Sequence, residues 1–210
     1  MPVEIIDCEQ NTTEWDAARC GLVTASEFST VLAKGRGGGE SLTRKKYLYK
    51  LAGERITGEP EPGYNNADME RGHVMEDEAA GWYSFTREVD LQQVGFIKSD
   101  ECGGMGYSPD RLIVGAKGLL EIKTNKPSVL IGLLEKDEFP PEHIPQCQGG
   151  LFVSGQDYID IVCFWGKMPK LVKRAVPDRA YHAILRSEIT RFNDELCELV
   201  ERIKRYGEAP

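Results

Sequence analysis

The segment from Tyr107 to Thr124, YSPDRLIVGAKGLLEIKT, constrains this chain more than any other. It sets an aspartate after Ser-Pro, then a turn, then an apolar run interrupted by Glu-Ile-Lys. The runs Arg111–Val114 and Leu119–Lys123 read as two strands of a hairpin. Between them, Val114-Gly115-Ala116-Lys117-Gly118 supplies a turn with two glycines able to take positive φ. Residues two apart on a strand share a face, so Glu121 and Lys123 point the same way. If the strands pair, Asp110, Glu121 and Lys123 converge as a carboxylate pair with an ammonium beside it.

The rest of the chain reads as mixed α/β. Glu14–Arg19 is a short helix, and Thr24-Ala25-Ser26-Glu27 has the form of a capping box opening a helix to about Lys34. After the loop GRGGGE, Ser41–Thr57 is helical, with Leu48, Leu51, Ala52 and Ile56 on one side. A Pro/Gly/Asn loop over Gly58–Asn66 precedes a long helix, Ala67–Arg87, with Met75, Ala79, Trp82 and Phe85 near one stripe. Val89–Lys98 is β-prone and reads as the first core strand. Beyond the hairpin come helices at Ser128–Lys136 and Ile144–Phe152, the second with Pro145 in its first turn. A second hairpin joins Tyr158–Trp165 to Lys170–Val176. Asp178 then caps a last helix to about Tyr206, striped by Leu185, Ile189, Phe192, Leu196, Leu199 and Ile203. That stripe reads as core or subunit packing.

At 210 residues the expectation is one domain spanning 1–210 with a sizeable core. No apolar run approaches a membrane span, and the acidic start MPVEIIDCEQ lacks a signal peptide's basic and apolar regions. Six cysteines without a CxxC pair read as free thiols in a reducing cytoplasm, and exclude the common zinc and iron–sulfur spacings. The net charge of −8 argues against a broadly basic, nucleic-acid-coating surface. Basic residues are nevertheless clustered at Arg44-Lys45-Lys46, over Lys167–Arg174 and at Arg202, Lys204 and Arg205, away from Glu76-Asp77-Glu78. They suit a basic channel on an acidic body, or solvated helix faces.

Paired carboxylates beside a lysine suit phosphodiester hydrolysis, which needs an activated water and a neutralised leaving oxygen. One or two Mg²⁺ ions serve both needs, and Mg²⁺ prefers carboxylate, carbonyl and water oxygens. Asp110, Glu121 and the Ile122 carbonyl are the candidate ligands, and Lys123 the group that polarises or deprotonates water if nearby cations depress its pKa. An Asp followed later by E-x-K also occurs in ordinary surface hairpins, but placing both charges inside LLEIKT without a partner is costly.

Several ordered motifs resemble the lambda-exonuclease branch of the PD-(D/E)xK nucleases, the YqaJ-type viral recombinase family. WDAARCGLVTASEF resembles its N-terminal pattern of Trp, Arg four later, then G-x-x-T-A-S. RGHVMEDEA resembles its G-x-x-x-E helix, YSPDRL and LLEIKT its two core strands, and PQCQGGLFVSG its Q-x-Q helix. The resemblance runs roughly from Trp15 to Trp165. It implies a restriction-endonuclease-like α/β core, a central mixed β-sheet flanked by helices.

The resemblance also implies roles. Asp110, Glu121 and the Ile122 carbonyl would hold Mg²⁺ (Mn²⁺ substituting), Lys123 would be the catalytic lysine, and Glu76 a further active-site acid. Arg19, Ser26, Ser108 and Gln146 would hold phosphate groups, including a terminal 5′-phosphate. Without it, Arg19 and Glu76 read as solvated helix residues, Ser26 as part of a capped turn and Gln146 as a helix-surface amide. Met69 aligns with an apolar residue that parts duplex ends, or packs in the core. The implied activity is 5′-to-3′ digestion of linear duplex DNA into 5′-mononucleotides, by a homotrimeric ring of phage or prophage origin in a bacterial cytoplasm, leaving a 3′ single strand for an annealing protein. An endonuclease of the same fold and an inactive DNA-end-binding module are the alternatives.

Overall fold

A computed structural model describes residues 3–35, 37, 39, 41–62 and 67–207, with side chains described from residue 74 onward in the helix that begins at Ala67. The side chain of Met69 and parts of the two glycine-containing loops lie outside what is described.

The anticipated hairpin is the centre of the molecule. Strand β6 (Arg111–Ile113) pairs antiparallel with β7 (Gly118–Thr124), matching Arg111 with Leu120 and Ile113 with Gly118. Of the two turn glycines, only Gly115 takes positive φ, at 75°. Gly118 serves differently: a Cβ there would stand 2.3 Å from the Tyr158 ring. Strand β7 then runs parallel to β8 (Tyr158–Phe164), and β8 pairs antiparallel with β9 (Leu171–Ala175). With β3 (Leu91–Gln92) outside β6, these make a mixed sheet in the order β3-β6-β7-β8-β9.

A parallel neighbour needs a crossover. Helices α5 (Pro127–Lys136) and α6 (Ile144–Ser154) provide it, and α6 opens with Pro145 where its missing N–H costs no helix bond. Alternation along the strands then separates two buried faces. Leu120, Ile122, Val162 and Phe164 pack on Ala79, Ala80 and Tyr83 of α4 (Ala67–Arg87). Leu119, Ile159, Ile161 and Cys163 belong to the larger core, which includes Cys147 and Leu151 of α6. Glu121 and Lys123 fall on that second face by the same alternation.

A second sheet was not expected. Strands β1 (Val3–Ile6), β4 (Phe96–Ser99), β5 (Met105–Tyr107) and β2 (Val23–Thr24) lie in the order β1-β4-β5-β2. The single strand expected over Val89–Lys98 is therefore split between two sheets. The break falls at Gly95, where a Cβ would meet Cys8 Sγ at 2.3 Å, and whose carbonyl accepts from Trp15 Nε1 at 3.0 Å.

The outer helices follow the sequence with local corrections. Helix α1 covers Thr13–Arg19, α3 covers Leu42–Thr57 behind its N-cap Ser41, and α7 covers Arg179–Lys204 behind Asp178. Leu185, Ile189, Phe192, Leu196 and Leu199 of α7 are buried, whereas Ile203 at its end is exposed. The capping box at Thr24 does not form. The chain makes a 3-10 turn over Ala25–Glu27, Thr24 and Ser26 share a hydroxyl contact at 3.2 Å, and α2 is confined to Phe28–Leu32. Thr24, paired in β2 with Gly106, keeps the extended backbone of an N-cap, but its hydroxyl makes no cap bond. Phe85 lies outside the α4 packing stripe and is 87% exposed.

The basic clusters are partly structural. Arg44 is buried, pairs with Glu195 at 2.7 Å and lies over the Phe192 ring. Arg174 forks onto the buried Asp160 at 2.7 and 2.8 Å. All six cysteines are free thiols. No helix among the described residues is long and apolar enough to cross a membrane.

Candidate active site

The hairpin register brings the acid pair to one edge of β7. Strand β6 ends its pairing with β7 at Arg111 and Leu120, so the next backbone groups of β7 on that side have no strand partner. Asp110 fills the gap: its Oδ2 accepts from the Ile122 N–H at 2.5 Å. The N–H and C=O of one strand residue leave the backbone on the same side. The Ile122 carbonyl thus faces the same edge as the Asp110 carboxylate.

Glu121 is 2% exposed, and three donors hold it. Lys123 Nζ reaches Oε1 at 2.7 Å, Gln146 Nε2 reaches the same oxygen at 2.5 Å, and the Tyr107 hydroxyl donates to Oε2 at 2.5 Å. Burial raises the Asp110 pKa well above the carboxylate range, and the charges of Glu121 and Glu76 add to the rise. Burial alone would lower the Lys123 pKa, but the fields of Glu121 and Asp110 outweigh it and hold the ammonium above its ordinary value. The depression that nearby cations would bring to Lys123 is thus absent where Glu121 and Asp110 act on it.

Among the described residues, no three His, Cys, Asp or Glu side chains form a ready metal cage. Mg²⁺ does not require one, since one or two carboxylates with waters suffice. Asp110, Glu121 and the Ile122 carbonyl supply oxygen donors of that kind, and the mutual repulsion that lifts the Asp110 pKa is relieved by a cation. The donor set fits the ion.

Glu76 arrives from α4, but paired. Arg111 donates to Glu76 Oε1 at 2.8 Å and to Asp77 Oδ1 at 2.5 Å, while also reaching the Asp110 carbonyl at 2.5 Å. Sequence reasoning treated Arg111 only as a strand residue. Two consecutive helix acids beside a core strand were the available signal that a buried cation must face them.

The residues expected to hold phosphate divide into two groups. Arg19 Cζ lies over the Trp15 ring, 3.9 Å from its centroid, and Arg19 donates to Ser108 Oγ at 3.1 Å. Trp15 Nε1 donates to the same hydroxyl at 2.9 Å. Arg19 and Ser26 line one cavity of about 430 Å³ together with Thr24, Tyr47 and Lys50. Burial lowers the Arg19 pKa against the pull of nearby Tyr47 and Asp16. Gln146 does not join this cavity lining; it sits on Glu121.

Four consecutive residues connect the parts. Tyr107 holds Glu121, Ser108 holds Arg19 and Trp15, and Asp110 holds Ile122. Pro109 between them offers its carbonyl to Gln10 Nε2 at 2.8 Å. Neither Tyr107 nor Gln10 was marked from sequence, because neither carries chemistry by residue type alone.

Residues 14–157 match the YqaJ-like viral recombinase domain. No curated protein matches this chain. Among solved structures, it is similar to the alkaline exonuclease LHK-Exo from Laribacter hongkongensis, with 32% identity over 92% of this chain and 97% of that one, and a TM-score of 0.82. The same relative in complex with dAMP superposes with a TM-score of 0.83, at the same identity and coverage. A phage-related exonuclease from Haemophilus somnus 129PT shares the fold, at 15% identity over 90% of this chain and 99% of that one, with a TM-score of 0.59. With the family motifs lying on the β6–β7 hairpin, α4 and α6, the chain belongs to the YqaJ-like viral recombinase domain family, of the lambda-exonuclease type.

Proposed function

We propose that the protein is a Mg²⁺-dependent exonuclease that digests linear duplex DNA from 5′ ends, releasing 5′-mononucleotides. The remaining 3′ strand would pass to a single-strand annealing protein in phage-type recombination. One observation carries this reading: the Arg19–Ser108 contact lies two residues from Asp110. A group suited to a terminal phosphate and a group suited to cutting are thereby held on one short stretch. The likeness to LHK-Exo, an alkaline exonuclease whose structure has been solved with dAMP, supports it.

In this reading Arg19, Ser26 and Ser108 hold the terminal 5′-phosphate, the guanidinium as a fork and the hydroxyls as single contacts. Asp110, Glu121 and the Ile122 carbonyl would hold the metal, one ion or two, with Mn²⁺ able to substitute. Glu76 would join them on parting from Arg111. Bound there, a divalent ion neutralises charge developing on the phosphoryl group and lowers the pKa of water. Lys123, once its hold on Glu121 loosens, orients the attacking water at Nζ and moves its proton. Gln146 steadies Glu121 on the Oε1 side. A ring of three subunits would retain DNA by topology, which suits a chain of net charge −8 better than many phosphate contacts would.

Purified protein with Mg²⁺, given closed circular, 5′-phosphorylated linear and 5′-hydroxyl linear duplexes, tests the reading. Faster loss of label from phosphorylated 5′ ends, abolished in Lys123→Ala, is the expected result. Cutting of the closed circle would identify an endonuclease. End binding without products, unchanged by Lys123→Ala, would identify a binding module.

A further inference from the structure

The Tyr107 phenol is fully enclosed and holds Glu121 from the side away from Lys123 and Gln146. Its ring is fixed by the backbone of two elements. It stands on β5, and Gly150 of α6 passes so close that a Cβ there would lie 2.8 Å from the ring's Cε1 and Cζ. Gln146 lies one helical turn before Gly150, on the same face of α6. The neighbouring Gly149 docks α6 onto Phe28, where a Cβ would meet the ring at 2.5 Å, and onto Ala25 of the turn that carries Ser26. One diglycine therefore sets α6 against both the Glu121 anchor and the phosphate cavity.

We propose that Tyr107, locked in place by Gly150, is a positioning residue that decides which oxygen of Glu121 is presented to a cation. This rests on the metal-nuclease reading above. The two oxygens of Glu121 are held unequally. Lys123 and Gln146 share Oε1, and both come from partly exposed positions that can yield to an incoming ion. Among the described residues, Oε2 has the buried phenol alone as a hydrogen-bond partner, and the phenol has no room to leave. A cation that displaces Lys123 and Gln146 therefore meets Oε1 in a fixed orientation and does not draw Glu121 into a two-oxygen grip. Removing the hydroxyl would leave Oε2 buried without a donor and free the carboxylate to rotate. The hydroxyl is neutral, so it orients Glu121 without cancelling the charge a metal needs.

The test uses Tyr107→Phe, which keeps the ring, and Gly150→Ala, which keeps the hydroxyl but crowds the ring. Mn²⁺ binding is measured by calorimetry without DNA, alongside cleavage kinetics and metal-free melting. The expected result is Mn²⁺ binding weakened about ten-fold or more in each variant, in keeping with outer partners of metal ligands. In Tyr107→Phe, kcat falls while KM for the DNA end is unchanged. Tyr107→Phe matching the parent in Mn²⁺ affinity and kcat would overturn the proposal and leave the nuclease reading standing. A parent protein that neither binds Mn²⁺ nor cuts would overturn both. Weakening seen only as a lower metal-free Tm, with Mn²⁺ affinity intact, would assign Tyr107 a packing role and overturn the proposal alone.

Discussion

Arg111, the first residue of β6, donates to Glu76 of α4 at 2.8 Å, so the helix acid whose charge acts on Asp110 is held by a buried cation. The same guanidinium spans Asp77 and the Asp110 carbonyl, and so ties α4 to the start of the hairpin. Arg111→Met should destabilise the fold by about 1–3 kcal/mol, less than for a fully enclosed pair because Asp77 is largely in water. Arg111→Lys should recover only part of this, since an ammonium cannot fork across two carboxylates. Urea unfolding curves measure both; equal stability of parent and Arg111→Met would show that the pairing contributes nothing.

Arg19 combines a guanidinium placed over the Trp15 ring with a hydrogen bond to Ser108. Arg19→Lys retains charge but loses planarity. The expected outcome is loss of the preference for 5′-phosphorylated over 5′-hydroxyl ends, by about ten-fold or more, the scale of one charge-assisted contact. Competition between the two labelled ends in one reaction reads this directly. A preference retained in the variant would place end recognition elsewhere.

The ionisation of Asp110 gives a pH signature. Its folded-state pKa is raised, so the stability linked to its proton is complete below the ordinary carboxylate range and is lost as pH rises through the raised value. Lys123 is raised too, but its contribution is full at all pH values below its ordinary 10.5 and does not change near neutrality. His143 and His182 are lowered by burial, so they act oppositely, removing stability as pH falls below 6.5. Mg²⁺ competes with the Asp110 proton. The Tm increment from Mg²⁺ over EDTA should therefore be larger at pH 8 than at pH 5. Equal increments would mean that the ion does not bind at Asp110.

Two glycines at either end of α3's last turns should respond oppositely to alanine. Gly53 lies inside the helix with open space beyond its Cα, so Gly53→Ala should stabilise by about 0.5–1 kcal/mol. Gly58 ends the same helix at φ 73°, where an alanine is strained, so Gly58→Ala should destabilise by about 1 kcal/mol. Thermal melts of the two variants should move Tm in opposite directions by a few degrees.

The sequence by itself determined the features that local pattern can write. Alternation in LLEIKT placed Glu121 and Lys123 on one face, the glycine turn set the β6–β7 hairpin, and the three-to-four spacing of α7 named its buried side. Asp178 as a cap is likewise a local matter, two hydrogen bonds within one turn.

Only the tertiary structure decided the partners. It put Tyr107 behind Glu121 and set Gln146 on the same carboxylate. It also gave Glu76 a buried arginine, split Val89–Lys98 between two sheets and left the Thr24 cap unmade. In each case the deciding contact joins distant segments. A buried polar group takes whatever donor or acceptor the fold brings within reach, because leaving it unpaired costs more than any local preference offers. That requirement is invisible until the chain has closed on itself.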